Sequence, residues 1–111
     1  MLKIRWELEE SVALMNLYFS NGCNMHVSKE KVENLSVAYK KRALEKGLLI
    51  DEKFRNISGL NMQLACIHYI VTEGKEGLSQ ASKLFYSTYD LYLNDREKFN
   101  MIYNNFKAKY M

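Results

Sequence analysis

The sequence contains no proline, only two cysteines and five glycines, and no apolar run approaching a membrane span. Each scarcity removes a class of protein. Without proline, nothing but polar caps and a few glycines interrupts the helices. Cys23 and Cys66 lie far apart, behind an N-terminus with no apolar leader, so free thiols in a cytoplasmic protein are expected rather than a disulfide framework. A stretch of roughly 18 consecutive apolar residues is missing throughout, so no membrane-spanning helix is expected. What remains is a chain of 111 residues, 48% apolar and 26% charged, which suits one domain with its own core.

Apolar residues recur at helical spacing along nearly the whole chain, and no segment alternates strictly enough for a half-buried strand. The expectation is an all-α fold, a single compact domain of about five helices over residues 1–111. The first helix, about 6–20, carries Leu8, Val12, Met15 and Phe19 on one stripe and ends at Asn21-Gly22. The second starts at Ser28, turns Val32, Leu35, Tyr39 and Ala43 inward and stops at Gly47. Residues 48–56 have no helical stripe and read as an irregular connection anchored by Phe54. The third helix, from about Ser58-Gly59, is apolar nearly all round and is expected at the centre. A two-glycine loop precedes a fourth helix, expected from a Ser79 cap to Leu93. Asp95 caps the fifth, whose stripe is Phe99, Ile102, Tyr103, Phe106 and Tyr110.

No complete catalytic motif is present. Cys23, His26, Cys66 and His68 offer soft zinc ligands, but residues two apart on a helix point roughly 200° apart, so Cys66 and His68 do not converge. Neither cysteine has the basic neighbours that activate a thiolate, and the glycines at 74 and 77 lack the Gly-Lys-Ser/Thr ending of a phosphate loop. The chain therefore reads as a non-catalytic binding module with no cofactor and no metal.

Charge distribution says more than total charge. Residues 29–55 hold eight basic and five acidic side chains, and residues 95–111 hold four basic and two acidic, so the basic character sits in the second and fifth helices. Eight tyrosines are scattered along the chain, most of them explained by core stripes.

Two stretches, Arg55-Asn56-Ile57-Ser58-Gly59-Leu60-Asn61-Met62-Gln63-Leu64-Ala65-Cys66-Ile67 and Gly77-Leu78-Ser79-Gln80-Ala81-Ser82-Lys83-Leu84, stand out beside the opening Trp6-Glu7-Leu8-Glu9-Glu10 and Asp51-Glu52-Lys53-Phe54-Arg55-Asn56. Together they resemble the N-terminal helical recognition module of bacterial HNH-type restriction endonucleases and related defence proteins. The likeness runs over roughly residues 5–100. It implies recognition of double-stranded DNA on behalf of a nuclease domain that this chain does not carry, since it has only His26 and His68 and no hairpin signal. On that resemblance Lys53, Arg55, Asn56 and Ser58 lead into the third helix as DNA contacts, with Asn61 and Gln63 upon it. Asn and Gln suit adenine edges, and Arg suits guanine or phosphate. Arg55 and Asn56 have an equally weighted structural reading, in which they brace the irregular connection through its backbone groups. Lys40, Lys41 and Arg42 then serve as non-specific phosphate contacts. The chain departs from the module at Cys66, where a polar residue, often Asn, is expected.

Read as a complete frame from Met1 to Met111 with no effector attached, the chain admits a second function. A phage-type accessory protein that binds and inhibits a bacterial nuclease or CRISPR complex would use protein contacts, because the chain is not an acidic DNA mimic. Either reading is compatible with a homodimer through the C-terminal helix stripe.

Overall fold

The computed structural model describes residues 4–111, with five helices and no strand among them. The first helix, α1 (Leu8–Ser20), begins where Glu7 leaves the helical conformation and its backbone N–H donates to Glu10 Oε1 at 3.0 Å. It ends at Asn21, with Gly22 in the left-handed region at φ 71°. Then come α2 (Lys29–Glu45), α3 (Ile57–Val71), α4 (Lys83–Asn94) and α5 (Arg96–Tyr110). Two caps are chemically explicit: Asn56 Oδ1 accepts the Gly59 N–H at 2.8 Å to start α3, and Asp95 Oδ1 accepts that of Lys98 at 3.1 Å to start α5.

The centre of the bundle is α1, not α3. It packs against all four other helices, and every residue from Glu10 to Met15 is buried, as is Tyr18. By contrast α3 buries Leu60, Leu64, Cys66, Ile67 and Ile70 but leaves Met62 47% exposed. Where α1 meets α4, small polar side chains permit close approach: the Ser11 and Thr88 hydroxyls lie 2.7 Å apart, and each also bonds a carbonyl of its own helix.

The start of α4 also differs from the expectation. Its cap is Ser82, and residues 78–82 are still outside any helix where the sequence predicts helix from Ser79. The cause is a strap that folds back on α3: the Leu78 N–H donates to the Ala65 carbonyl in the middle of that helix at 3.1 Å. The chain must clear α3 before it can begin α4.

On α5 the stripe proposed for pairing with a second copy is used within the fold. Phe99, Phe106 and Tyr110 are buried, Phe106 lies edge-on to Tyr39, and Ile102 and Tyr103 pack on the same core. That stripe is not a free dimer surface. No helix among the described residues is long and apolar enough to cross a membrane.

Candidate nucleic-acid interface

The residues that carry the sequence motif converge on one point, but they converge inward. Glu10 is 2% exposed at the core end of α1. From the irregular connection, Arg55 reaches it with Nε 2.9 Å from Glu10 Oε2 and Nη2 3.3 Å from Oε1, while Nη2 also bonds the Arg5 carbonyl at 3.2 Å. The same guanidinium lies 4.4 Å from the centre of the Trp6 ring and 4.5 Å from that of Phe54. Arg42 enters from α2, with Nη2 2.7 Å from Glu7, Nε bonded to Glu9 and Nη1 3.8 Å from Glu10. Three acids and two arginines thus form one network in which the most buried carboxylate is reached from both sides.

Its electrostatics are self-consistent. Burial works against charge on Arg42, but hydrogen bonds to Glu9 and Glu7 outweigh it and hold the guanidinium above its ordinary range. The Arg42 hydrogen bond, opposed by some desolvation, holds the Glu7 carboxyl below its usual value. Tyr39 completes the site: its buried hydroxyl donates to the Glu10 carbonyl at 2.5 Å, and burial pushes its pKa well up.

Arg42 and Arg55, two of the residues predicted to contact DNA, are therefore corrected to structural roles. Their side chains are 5% and 9% exposed, and their charge is answered inside the protein. Asn56 likewise spends its side-chain oxygen on the α3 cap. Arg55 has a further constraint, φ 45°, a left-handed conformation in a non-glycine residue, and its carbonyl accepts the Ser36 hydroxyl at 2.6 Å. The bracing role and the motif are the same thing.

The other predicted residues gather around the first turn of α3. Lys40, Asn56 and Ser58 line a hollow of about 370 Å³ between α2 and α3, together with Glu33 and Val37. Lys53, Asn56 and Gln63 line a smaller one beside it, about 160 Å³. Lys41 and Asn61 are exposed without lining either hollow. At this end of α3 the backbone N–H groups of Ile57 and Ser58 have no partner among the described residues, which gives the face a fixed positive contribution. The ion network takes three of the 13 acids and two of the 16 bases, so the remaining side chains carry a net +4.

Trp6 and Glu10 stand in the opening motif, but the burial of Glu10 and the packing of Trp6 against Arg55 are not among the roles predicted from sequence. A signal was available: Glu10, Leu14 and Tyr18 share one helical stripe, and Arg42 sits on the stripe of Leu35, Ala38 and Tyr39, so each is a lone charge on a buried face.

Elsewhere the zinc candidates separate, with Cys23 exposed and Cys66 buried, and among the described residues no three His, Cys, Asp or Glu are placed to hold a metal ion. Cys66 is 2% exposed, so the position that departs from the module does not face a ligand at all. The Tyr18 hydroxyl meets His68 Nδ1 at 2.7 Å, and His68 Nε2 lies 3.3 Å from Glu76. Burial pushes Tyr18 up to about 12, so this chain ties the strap to α1 and α3 and supplies no phenolate near neutral pH. The chain matches no protein-family model, no curated protein and no solved structure.

Proposed function

We propose that the protein is a non-catalytic DNA-binding module, of the kind used for recognition in bacterial restriction and defence systems, and that it docks on double-stranded DNA with the first turn of α3. The observation that carries this reading is the gathering of Lys40, Lys53, Asn56, Ser58 and Gln63 around a helix N-terminus whose first amides are unpaired. A helix N-terminus favours phosphate, the lysines add sequence-independent attraction, and Asn61 and Gln63 one turn further on are of the type that reads adenine edges. Arg42 and Arg55 support the face from beneath and make no contact with the nucleic acid.

Fluorescence anisotropy of a labelled duplex of about 24 base pairs tests this at two salt concentrations. Binding in the micromolar range at low salt, weakening steeply as salt rises, is expected. The triple variant Lys40→Glu/Lys41→Glu/Lys53→Glu, which leaves the ion network intact, is expected to lose at least about tenfold in affinity while unfolding at the wild-type temperature. Absence of binding at low salt, or a folded triple variant that binds normally, contradicts the reading. A protein partner such as a bacterial nuclease complex is then the remaining class.

A further inference from the structure

Adjoining the DNA face, and sharing Lys53 and Gln63 with it, lies a larger depression most of whose lining the proposed function does not use. It encloses about 640 Å³ between residues 4–6, the connection 49–55, the outer face of α3 and the strap at residues 80–82. Its floor is formed by Trp6, Phe54 and Phe85, with the Arg55 guanidinium lying against the Trp6 and Phe54 rings, and its lip carries Leu49, Ile50 and Met62. Leu49 on that lip is 91% exposed and Met62 opposite is 47% exposed. The run Leu48-Leu49-Ile50 puts three consecutive aliphatic side chains into a connection where none of them is buried. Apolar side chains so placed are costly in water and typify a contact surface.

Two further features say what kind of occupant fits. Residues 48–51 belong to no helix, and the backbone N–H groups of Leu49, Ile50 and Asp51 have no hydrogen-bond partner among the described residues. These donors are available to the carbonyls of another backbone. On the rim stand Arg5 and Lys53, both exposed, neither with an acid within salt-bridge distance among the described residues. The one acid lining the depression, Asp51, has an oxygen taken by the Lys53 backbone N–H at 2.9 Å. Side-chain amides of Gln63 and Gln80 complete the walls.

We propose that this groove is a protein-docking site that receives an extended segment of a partner protein, pairing along residues 49–51, seating a bulky aliphatic or aromatic side chain over Trp6 and Phe54, and placing an acidic side chain against Arg5 and Lys53. Duplex DNA does not fit this chemistry, because its backbone offers nothing for the apolar lip.

The test is selection of a phage-displayed library of random peptides, about 12 residues long, on the immobilised full chain. Enriched peptides are expected to share an aliphatic or aromatic anchor beside Asp or Glu. As labelled synthetic peptides they should bind the Leu49→Ser/Met62→Gln variant at least about tenfold more weakly than wild type. They should bind the Lys40→Glu/Lys41→Glu variant as wild type does. Both substitution sites of the groove variant are solvent-exposed, and its thermal unfolding is recorded alongside. No enrichment, enrichment of basic peptides, or indifference to the groove variant overturns the proposal. So does a duplex DNA whose affinity falls with Leu49→Ser alone, a residue that lines the groove and neither hollow of the DNA face, which would give the groove to nucleic acid. Failure of DNA binding with retained peptide binding overturns only the DNA reading.

Discussion

Replacing Arg55 by alanine is expected to destabilise the protein by about 3–5 kcal/mol, the usual consequence of removing one partner from a buried ion pair. Glu10 is 2% exposed and loses both its close guanidinium bonds, at 2.9 and 3.3 Å, keeping only the Glu7 amide and the Arg42 nitrogen at 3.8 Å. Trp6 and Phe54 lose the cation between them at the same time. Since a domain is stable by only about 5–15 kcal/mol, this one change takes a large share. Urea denaturation followed by circular dichroism measures it. Arg55→Lys is expected to recover part of the loss, because an ammonium keeps the charge but cannot reproduce the two-pronged geometry. The double variant Glu10→Gln/Arg55→Met is expected to be much more stable than the sum of its single changes, since it leaves no uncompensated charge in the core. A loss for Arg55→Ala below about 1 kcal/mol would place the network among solvent-screened surface pairs and contradict this account. The same reasoning governs DNA-binding assays: lost affinity in an Arg55 variant reports lost fold.

The second large effect is expected at Gly77. A Cβ there would stand 2.3 Å from the Ala65 carbonyl oxygen and 2.7 Å from the Tyr69 nitrogen, both backbone atoms of α3 that cannot turn away. Its φ of 94° is in addition strained for any L side chain. Gly77→Ala is expected to cost about 2–4 kcal/mol, either as strain or by forcing the strap off α3. Peeling the strap away breaks the Leu78 bond to Ala65 and the Glu76 contact with His68. Hydrogen exchange at the Leu78 amide distinguishes the two routes, with rapid exchange marking detachment. Gly74 is the control: its φ is similar at 83°, but the nearest atom is the Tyr69 hydroxyl oxygen at 3.2 Å, the movable end of a side chain. Gly74→Ala is expected to cost about 1 kcal/mol. Equal effects at the two positions would mean that backbone conformation alone, and not packing against α3, sets the requirement for glycine.

Much of the fold could be read from periodicity. Val32, Leu35, Tyr39 and Ala43 are buried as their spacing requires, and Asn21-Gly22 and Asp95 mark helix ends as their backbone chemistry predicts. The centre of the bundle could not be read this way, because it depends on compensation between distant residues. Glu7, Glu9 and Glu10 look like a solvated first turn until Arg42 and Arg55 arrive from other elements. With Glu10 neutralised by those partners, α1 can lie in the middle with Val12, Leu14, Met15 and Tyr18 all buried, in place of the more apolar α3. The start of α4 was hidden for a related reason, a backbone bond between Leu78 and Ala65 that leaves no mark on local propensity.

The candidate site divides along the same line. Lys40, Lys53, Ser58 and Gln63 were recognisable because they are polar residues leading into or facing a helix start, and the structure gathers them. Arg42 was read only as a phosphate contact and Arg55 as either a DNA contact or a brace, because a buried arginine and a DNA-binding arginine have the same letter, and only the carboxylates opposite show that both are buried in an ion network. The sequence motif Trp6, Glu10, Arg55 and Asn56 therefore encodes the joint between α1, α2 and α3, and the residues beside it are free to specify a partner.

On this view the motif builds the joint while the first turn of α3 does the binding. Titrating a ¹⁵N-labelled sample with a duplex of about 24 base pairs and following amide shifts tests it most directly. The largest changes are expected at the amides of Lys40, Lys41, Lys53, Ile57, Ser58 and Asn61, with α4 and α5 undisturbed. Shifts confined to α4 and α5, or none at saturating DNA and low salt, would contradict it.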